Sequence, residues 1–260
     1  MSDAPVTFSK SGAVGYITLN RPPANSYEMG FMQALDAAID SANNDDEVKA
    51  VILKSASEKF FSAGADIKAF TANDTAANME MVRTAHAALA KMADSPKVFI
   101  AAINGHALGG GLEIALACDL RFAAEGEYRL GLPEVTLGLL PGNGGTQRLP
   151  RLIGTNKALE LMLTGATFLP ADALAYGIVN KIFPAGDLIA ETEKIANRIA
   201  NGATMAIANI KEAVYHGTQM HLSDALALER DLVEPLFNSE DAKEGLSAFV
   251  EKRKAAFRGK

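Results

Sequence analysis

The chain has 260 residues, 48% of them hydrophobic and 22% charged, with a formal net charge of −6, four histidines and one cysteine. This is ordinary globular composition with enough length for a substantial core, so one large domain, or one with a smaller appendage, is expected. The acidic balance excludes a charge-driven attraction of the whole protein to nucleic acid or an anionic membrane, and the single cysteine excludes an internal disulfide framework or a multi-cysteine metal site.

The amino terminus, Met1-Ser2-Asp3-Ala4-Pro5-Val6-Thr7-Phe8, has neither the basic-then-apolar layout of a signal peptide nor the Arg-rich layout of a transit peptide. No apolar run reaches the roughly 18 residues of a membrane span, and a cytoplasmic protein is expected. Short apolar runs rich in β-branched residues predict strands at 14–19, 48–53, 98–103, 120–123 and 178–183. Between the first two, Met32, Leu35, Ile39 and Ala42 share one helix face and run into the polar stretch Asn43-Asn44-Asp45-Asp46. Strands alternating with helices predict an α/β fold. Cys118 lies in the apolar run Ala115-Leu116-Ala117-Cys118 and reads as a buried, inert thiol. Pro170 suits a first helical position and Gly177 the position after a helix end, bracketing a short helix at 171–176. From Leu188 onwards the chain reads as successive helices, ending in a charged segment from Ser239 to Arg258. The division drawn is residues 1–200 as the core and 201–260 as a helical carboxyl-terminal region.

Three glycine-rich stretches stand where a strand is expected to hand over to a helix: Phe61-Ser62-Ala63-Gly64-Ala65-Asp66-Ile67-Lys68, Asn104-Gly105-His106-Ala107-Leu108-Gly109-Gly110-Gly111-Leu112-Glu113, and Leu137-Gly138-Leu139-Leu140-Pro141-Gly142-Asn143-Gly144-Gly145-Thr146. Glycine there permits positive φ and close approach of a ligand to the backbone. A helix beginning at such a turn offers unpaired N–H groups and the positive end of its dipole, so two turns together suit a developing oxyanion. Taken singly, each is an ordinary tight turn. None has the form of a nucleotide-phosphate loop.

Two carboxylates accompany these turns. Glu113 falls in the first turns of a helix starting at the glycines, and Glu134 follows Pro133, which biases Leu132 towards extended geometry. Two carboxylates in one partly dry site titrate in separate steps, leaving one proton donor and one acceptor near neutral pH. Spacing alone leaves each a solvated surface residue.

The combined pattern resembles the crotonase (enoyl-CoA hydratase/isomerase) superfamily. The segments that carry it are Asn20-Arg21-Pro22-Pro23-Ala24-Asn25, the first two glycine-rich stretches, Pro133-Glu134-Val135-Thr136-Leu137 running on through the third stretch to Gln147-Arg148-Leu149, and Ala248-Phe249-Val250-Glu251-Lys252-Arg253-Lys254. They occur in the family's order across nearly the whole chain. The resemblance implies a superhelical core of repeated ββα turns and a helical carboxyl-terminal trimerisation region, assembled as a homotrimer or homohexamer. It implies an acyl-CoA thioester substrate, with coenzyme A part of that substrate and no separate cofactor or metal. Ala65 and Gly110 match the oxyanion hole, and Glu113 and Glu134 match the catalytic pair kept in the hydratase branch. Ala24, Ala63, Asp66, Ile67, Lys68, Gly109, Pro133 and Gly142 match positions around the acyl-CoA, and Phe249 and Lys252 would reach it from a neighbouring subunit.

The activity so implied is hydration of the 2,3 double bond of a 2-enoyl-CoA to a 3-hydroxyacyl-CoA in fatty-acid or related acyl-CoA degradation. The alternatives are double-bond isomerisation, hydration of a branched or functionalised enoyl-CoA, and a non-enzymatic RNA-binding or scaffold role, against which the acidic balance and intact glutamate pair argue. Two departures from the family pattern stand out: Ser26-Tyr27-Glu28-Met29 after Asn25, in a segment resembling part of the CoA pocket, and Asn143 at the acyl or water site. Asp66 reads as a helix cap and His106 as a packed turn histidine. Phe70, Met79 and Met81 are either acyl-pocket or core residues.

Overall fold

The computed structural model describes residues 4–260, so the first three residues of the stretch read for targeting signals lie outside the described residues. The chain opens with a hairpin that the apolar patterning only half reveals. In it β1 (Val6–Ser11) pairs antiparallel with β2 (Val14–Leu19). Only Val6 of β1 is buried and its end is exposed, so it has no apolar run to find.

Helix α1 (Met29–Asn44) is capped by Glu28, whose carboxylate accepts from the N–H groups of Gly30 and Phe31. Met32, Leu35, Ile39 and Ala42 lie on its buried face, as the spacing predicts, and Phe31 and Ala38 join them. At the far end the Lys97 ammonium donates to the carbonyls of Ala42, Asn43 and Asp45 at 2.6, 3.0 and 2.7 Å. All three ammonium protons are thereby used on carbonyls at the negative end of the helix. Lys97→Met is expected to cost about 1–3 kcal/mol of stability, seen as a lower Tm, with the catalytic rate of the folded protein unchanged. A Tm within about 1 °C of the parent would mean that water replaces the ammonium without loss.

Three turns of a superhelix follow. The first comprises β3 (Ala50–Ser55), β4 (Phe60–Ser62), α2 (Ile67–Ala72) and α3 (Thr75–Asp94). The second comprises β5 (Val98–Ile103), β6 (His106–Leu108) and α4 (Gly110–Ala117). The third comprises β7 (Leu120–Ala124), β8 (Leu130–Gly131), a 3-10 turn at Glu134–Leu137 and α5 (Gly145–Ile153). After α6 (Thr155–Thr164) come β9 (Thr167–Phe168), α7 (Pro170–Ala175) and β10 (Lys181–Phe183). One sheet has the order β1-β2-β3-β5-β7-β10, parallel except at the first pair, and the other has the order β4-β6-β8-β9. Every residue of β5 is buried, as expected of a central parallel strand covered on both faces. The α/β expectation and its repeated ββα units therefore hold.

Three boundaries differ from the sequence reading. The third glycine-rich stretch follows the 3-10 turn, not a strand, because the Glu134–Leu137 turn already ends extended pairing. The strand expected at 178–183 begins only at Lys181, because the N–H groups of Ile178 and Val179 turn back to the Ala173 carbonyl and close α7. Val48 similarly closes a turn onto the Asp45 carbonyl, so β3 starts two residues late. The short helix opens at Pro170, and Gly177 after it has φ 80°.

The carboxyl-terminal run is helical, with α8 (Leu188–Ala200), α9 (Thr204–Gly217), α10 (Leu222–Val233) and α11 (Glu240–Val250). Helix α8 lies against β3 and β5, and α9 sends Lys211 inward to the Met92 and Lys97 carbonyls and the Asp119 carboxylate. Among the described residues no helix is long and apolar enough to cross a membrane. Cys118 is 1% exposed, and burial pushes its thiol up to about 12, which fits an inert core residue.

Candidate active site

The carboxyl ends of the short second strands and the turns that follow them surround a cavity of about 560 Å³. Its lining brings together Ala63, Ala65, Ile67, Gly109, Gly110, Glu113, Pro133, Glu134 and Gly142 from the sequence expectation, with Tyr27 and Asn143 beside them. Phe70, Met79, Val82, Leu137, Leu139 and Leu140 make much of the remaining wall apolar, which suits a hydrocarbon chain.

Two residues whose main-chain amides have no carbonyl partner among the described residues, Ala65 and Gly110, line this space. The chain at 27 pairs with the chain at 65: Tyr27 N–H donates to the Gly64 carbonyl and Asp66 N–H to the Tyr27 carbonyl, both at 2.8 Å. Successive N–H groups of an extended segment point opposite ways, so the Ala65 amide between them faces away from that partner. The Gly110 amide is the first of α4 and has no carbonyl a turn earlier to bond. The two turns touch. At Gly64, with φ +86°, an added Cβ would lie 2.7 Å from the Leu108 carbonyl oxygen and 3.3 Å from the Gly110 amide nitrogen. Glycine is therefore required there for both dihedral and space.

Glu113 is three residues into α4 and 1% exposed. Its Oε1 accepts from the main-chain N–H groups of Asn143 and Gly145, each at 2.7 Å. The third glycine-rich turn, with the N-terminus of α5, thus serves to hold a carboxylate. Burial pushes the Glu113 pKa up, and the two amides pull it partly back.

Glu134 sits in a contrasting setting. It opens the 3-10 turn after Pro133, and its Oε2 is buried without a hydrogen-bond partner among the described residues. Its Oε1 lies 3.0 Å from where a Cβ of Gly109 would stand, and Gly109 has φ +54°. Burial raises the Glu134 carboxyl to about 7, against a hydrogen bond from its own main-chain N–H that pulls it back and with a smaller push from the Glu113 charge. Burial raises both carboxyls, but Glu113 has two N–H donors that favour its ionised form, whereas the buried oxygen of Glu134 has no donor among the described residues.

The remaining expected positions divide. Ala24 lies just behind the lining, its carbonyl accepting from Ala63 N–H at 2.9 Å. Asp66 caps α2 through Lys68 and Ala69 and pairs with Arg21 at 2.9 Å, which with the cap holds its carboxyl below the usual range. Lys68 is exposed and follows Ile67 of the lining without itself lining the cavity. Phe249 is 85% exposed at the end of α11, and neither it nor Lys252 lines the cavity of its own chain. His106 is engaged away from the cavity: its Nδ1 accepts from Arg129 N–H, and its ring packs on Phe60. Phe70 and Met79 line the cavity, whereas Met81 points into the core at 1% exposure. Sequence reasoning missed His86, whose Nε2 lies 2.7 Å from the Gly142 carbonyl, and gave no role to Tyr27 beyond its departure from the family pattern. Nothing in the local sequence of α3 marks His86.

The superhelix of ββα turns and the placement of this cavity define a protein of the crotonase fold. Residues 9–260 match the family model described as enoyl-CoA hydratase/isomerase. The chain belongs to the enoyl-CoA hydratase/isomerase family. It is 40% identical to the short-chain-enoyl-CoA hydratase of Clostridium acetobutylicum over 250 residues, covering 96% of this chain and 95% of that protein. A crystal structure of an enoyl-CoA hydratase from Geobacillus kaustophilus HTA426 is 45% identical, with a TM-score of 0.97 over 100% of this chain and 98% of that one. An enoyl-CoA hydratase structure from Bacillus anthracis is 38% identical, with a TM-score of 0.94 over 98% of this chain and 100% of the other.

Proposed function

We propose that this protein is an enoyl-CoA hydratase, a hydro-lyase that adds water across the 2,3 double bond of a 2-enoyl-CoA to give the 3-hydroxyacyl-CoA. The observation that carries the reading is one largely apolar cavity in which a carboxylate held by two main-chain N–H groups and a carboxylate with a buried, unpartnered oxygen share the lining with the Ala65 and Gly110 amides, neither of which has a carbonyl partner among the described residues. The thioester oxygen accepts from the Ala65 and Gly110 N–H groups, which draws electron density from the alkene and makes C3 electrophilic. Glu113, ionised, takes a proton from water as its oxygen bonds to C3. The π electrons move to C2, the negative charge collects on the thioester oxygen, and Glu134 gives its proton to C2. Glu113 ends protonated and Glu134 ionised, and proton exchange with solvent resets the pair.

In the same reading Ala24 and Lys68 flank the CoA moiety. Residues 201–260 form the region that packs neighbouring subunits of a homotrimer or homohexamer and brings Phe249 and Lys252 to the next subunit's CoA. The exposed Phe249, Val250 and Leu246 at the end of the chain support such burial. The setting proposed is cytoplasmic acyl-CoA degradation.

Incubation with crotonyl-CoA is expected to abolish the absorbance of the conjugated thioester, with 3-hydroxybutyryl-CoA as product. Absence of turnover over a panel of linear, branched and functionalised 2-enoyl-CoA esters would reject the reading. Migration of a 3-enoyl double bond without hydration would reassign the chain to the isomerases.

A further inference from the structure

The acid, base and amides leave one polar pair of the cavity without a task. Tyr27 is 5% exposed, and its ring and hydroxyl lie against Gly110 so closely that a Cβ at that glycine would overlap them. Its hydroxyl oxygen accepts a hydrogen bond from Asn143 Nδ2 at 2.7 Å, across 116 residues of chain. Asn143 is 2% exposed, and its main-chain N–H is one of the two that hold Glu113. A single residue therefore ties the phenol and the candidate base into one arrangement.

A phenol oxygen has one proton to give. Asn143 occupies its acceptor side, and no acceptor among the described residues takes the proton. Tyr27 lines the cavity with both glutamates, so that proton is available to whatever sits between them. Burial, with the nearby charges of Glu113 and Glu134, pushes the phenol pKa well up, so the group remains a donor wherever the carboxylates work.

The attacking water has two protons and two lone pairs. One proton goes to Glu113, one lone pair goes to C3, and the other lone pair is left to accept. On the hydratase reading above, on which this inference rests, we propose that Tyr27 donates a hydrogen bond from its hydroxyl to the attacking water as a further catalytic residue, with Asn143 as the residue that positions it. No bond to the phenol is made or broken in the step. The hydrogen bond fixes the water so that its free lone pair meets C3.

Crotonyl-CoA hydration by the full-length protein and by Tyr27→Phe, Asn143→Ala and the double variant tests this. Tyr27→Phe is expected to lower kcat by about 10- to 100-fold, with KM within about threefold and the fall of kcat/KM through pH of about 7 retained, since Glu134 is untouched. Asn143→Ala keeps the phenol but frees it to turn, and is expected to lower kcat by about three- to tenfold. The double variant should be no slower than Tyr27→Phe by more than about twofold, because both changes act through one hydrogen bond. A kcat within twofold of the parent in either single variant, or a loss confined to KM, overturns the proposal while the parent's turnover keeps the hydratase reading. A parent without turnover on the enoyl-CoA panel removes both. Asn143→Ala reads the same question if the phenylalanine variant does not fold.

Discussion

Glu134→Gln is expected to lower kcat for crotonyl-CoA by about 10²–10⁴-fold with little change in KM, the loss typical of removing a general acid from a site that otherwise still binds. Glutamine preserves the volume beside Gly109 but has no proton to deliver to C2. The pH dependence follows from the raised carboxyl. Glu134 acts protonated, so kcat/KM of the parent is expected to fall as pH rises through about 7. Glu113 acts ionised, and burial pushes its pKa up, so the acid limb should lie above the ordinary carboxylate value of 4.5. The residual activity of Glu134→Gln should lack the limb near 7. The substitution should affect stability in the opposite sense to activity. A carboxyl raised from 4.5 to about 7 on folding contributes stability that is complete below the unfolded value and is lost as pH rises through the folded one. At about pH 8 the parent must hold an ionised Glu134 with one buried oxygen unpartnered, and glutamine removes that cost. Its Tm should therefore exceed the parent's by a few degrees at about pH 8 and match it at about pH 4. Full activity in Glu134→Gln, or a Tm difference independent of pH, would remove Glu134 from the role of buried acid.

How far the sequence discloses this arrangement depends on whether a feature is local. β5 is visible because all six of its residues are apolar and buried, and α1 because Met32, Leu35 and Ile39 share one face. The short strands β4, β6, β8 and β9 have two or three residues each, too few for any alternation to register. The glycines announce turns without saying what faces them. Gly64 is required because Leu108 and Gly110 approach it from a different turn of the superhelix, and the Asn143 and Gly145 amides meet Glu113 from about thirty residues away. Residue types and spacing alone leave Glu113 and Glu134 as unremarkable surface glutamates, and the family pattern is what selects them. That same pattern discourages attention to Tyr27, since a departure from it reads as a loose end. Its contact with Asn143 makes both departures one feature, which only the folded chain brings together.

A second large effect is expected outside the cavity lining, at the buried ion pair that joins α9 to the core. The Lys211 ammonium donates to the carbonyls of Met92 and Lys97 at 2.6 and 2.8 Å and to Asp119 Oδ2 at 2.9 Å, using all three protons. Asp119 Oδ2 also accepts from Phe99 N–H at 2.7 Å, so the carboxylate is shared between β5 and the helix laid over it. The two side chains are 7% and 12% exposed, where solvent does little to screen them. Lys211→Met strands a buried carboxylate and two carbonyls, a loss of about 3–5 kcal/mol. For a chain of this size that corresponds to a fall in Tm of roughly 6–20 °C. Most of the loss comes from the charge left behind, not from the bond removed, so a second change should repair it. Asp119→Asn added to Lys211→Met keeps an acceptor for Phe99 N–H and removes the stranded charge, and should recover at least about half of the lost Tm. Well below the transition, kcat of both variants should stay within a few-fold of the parent, since Lys211 does not line the cavity that holds Glu113 and Glu134. A double variant no more stable than Lys211→Met would mean that packing of the lysine stem, and not the uncompensated carboxylate, sets the cost.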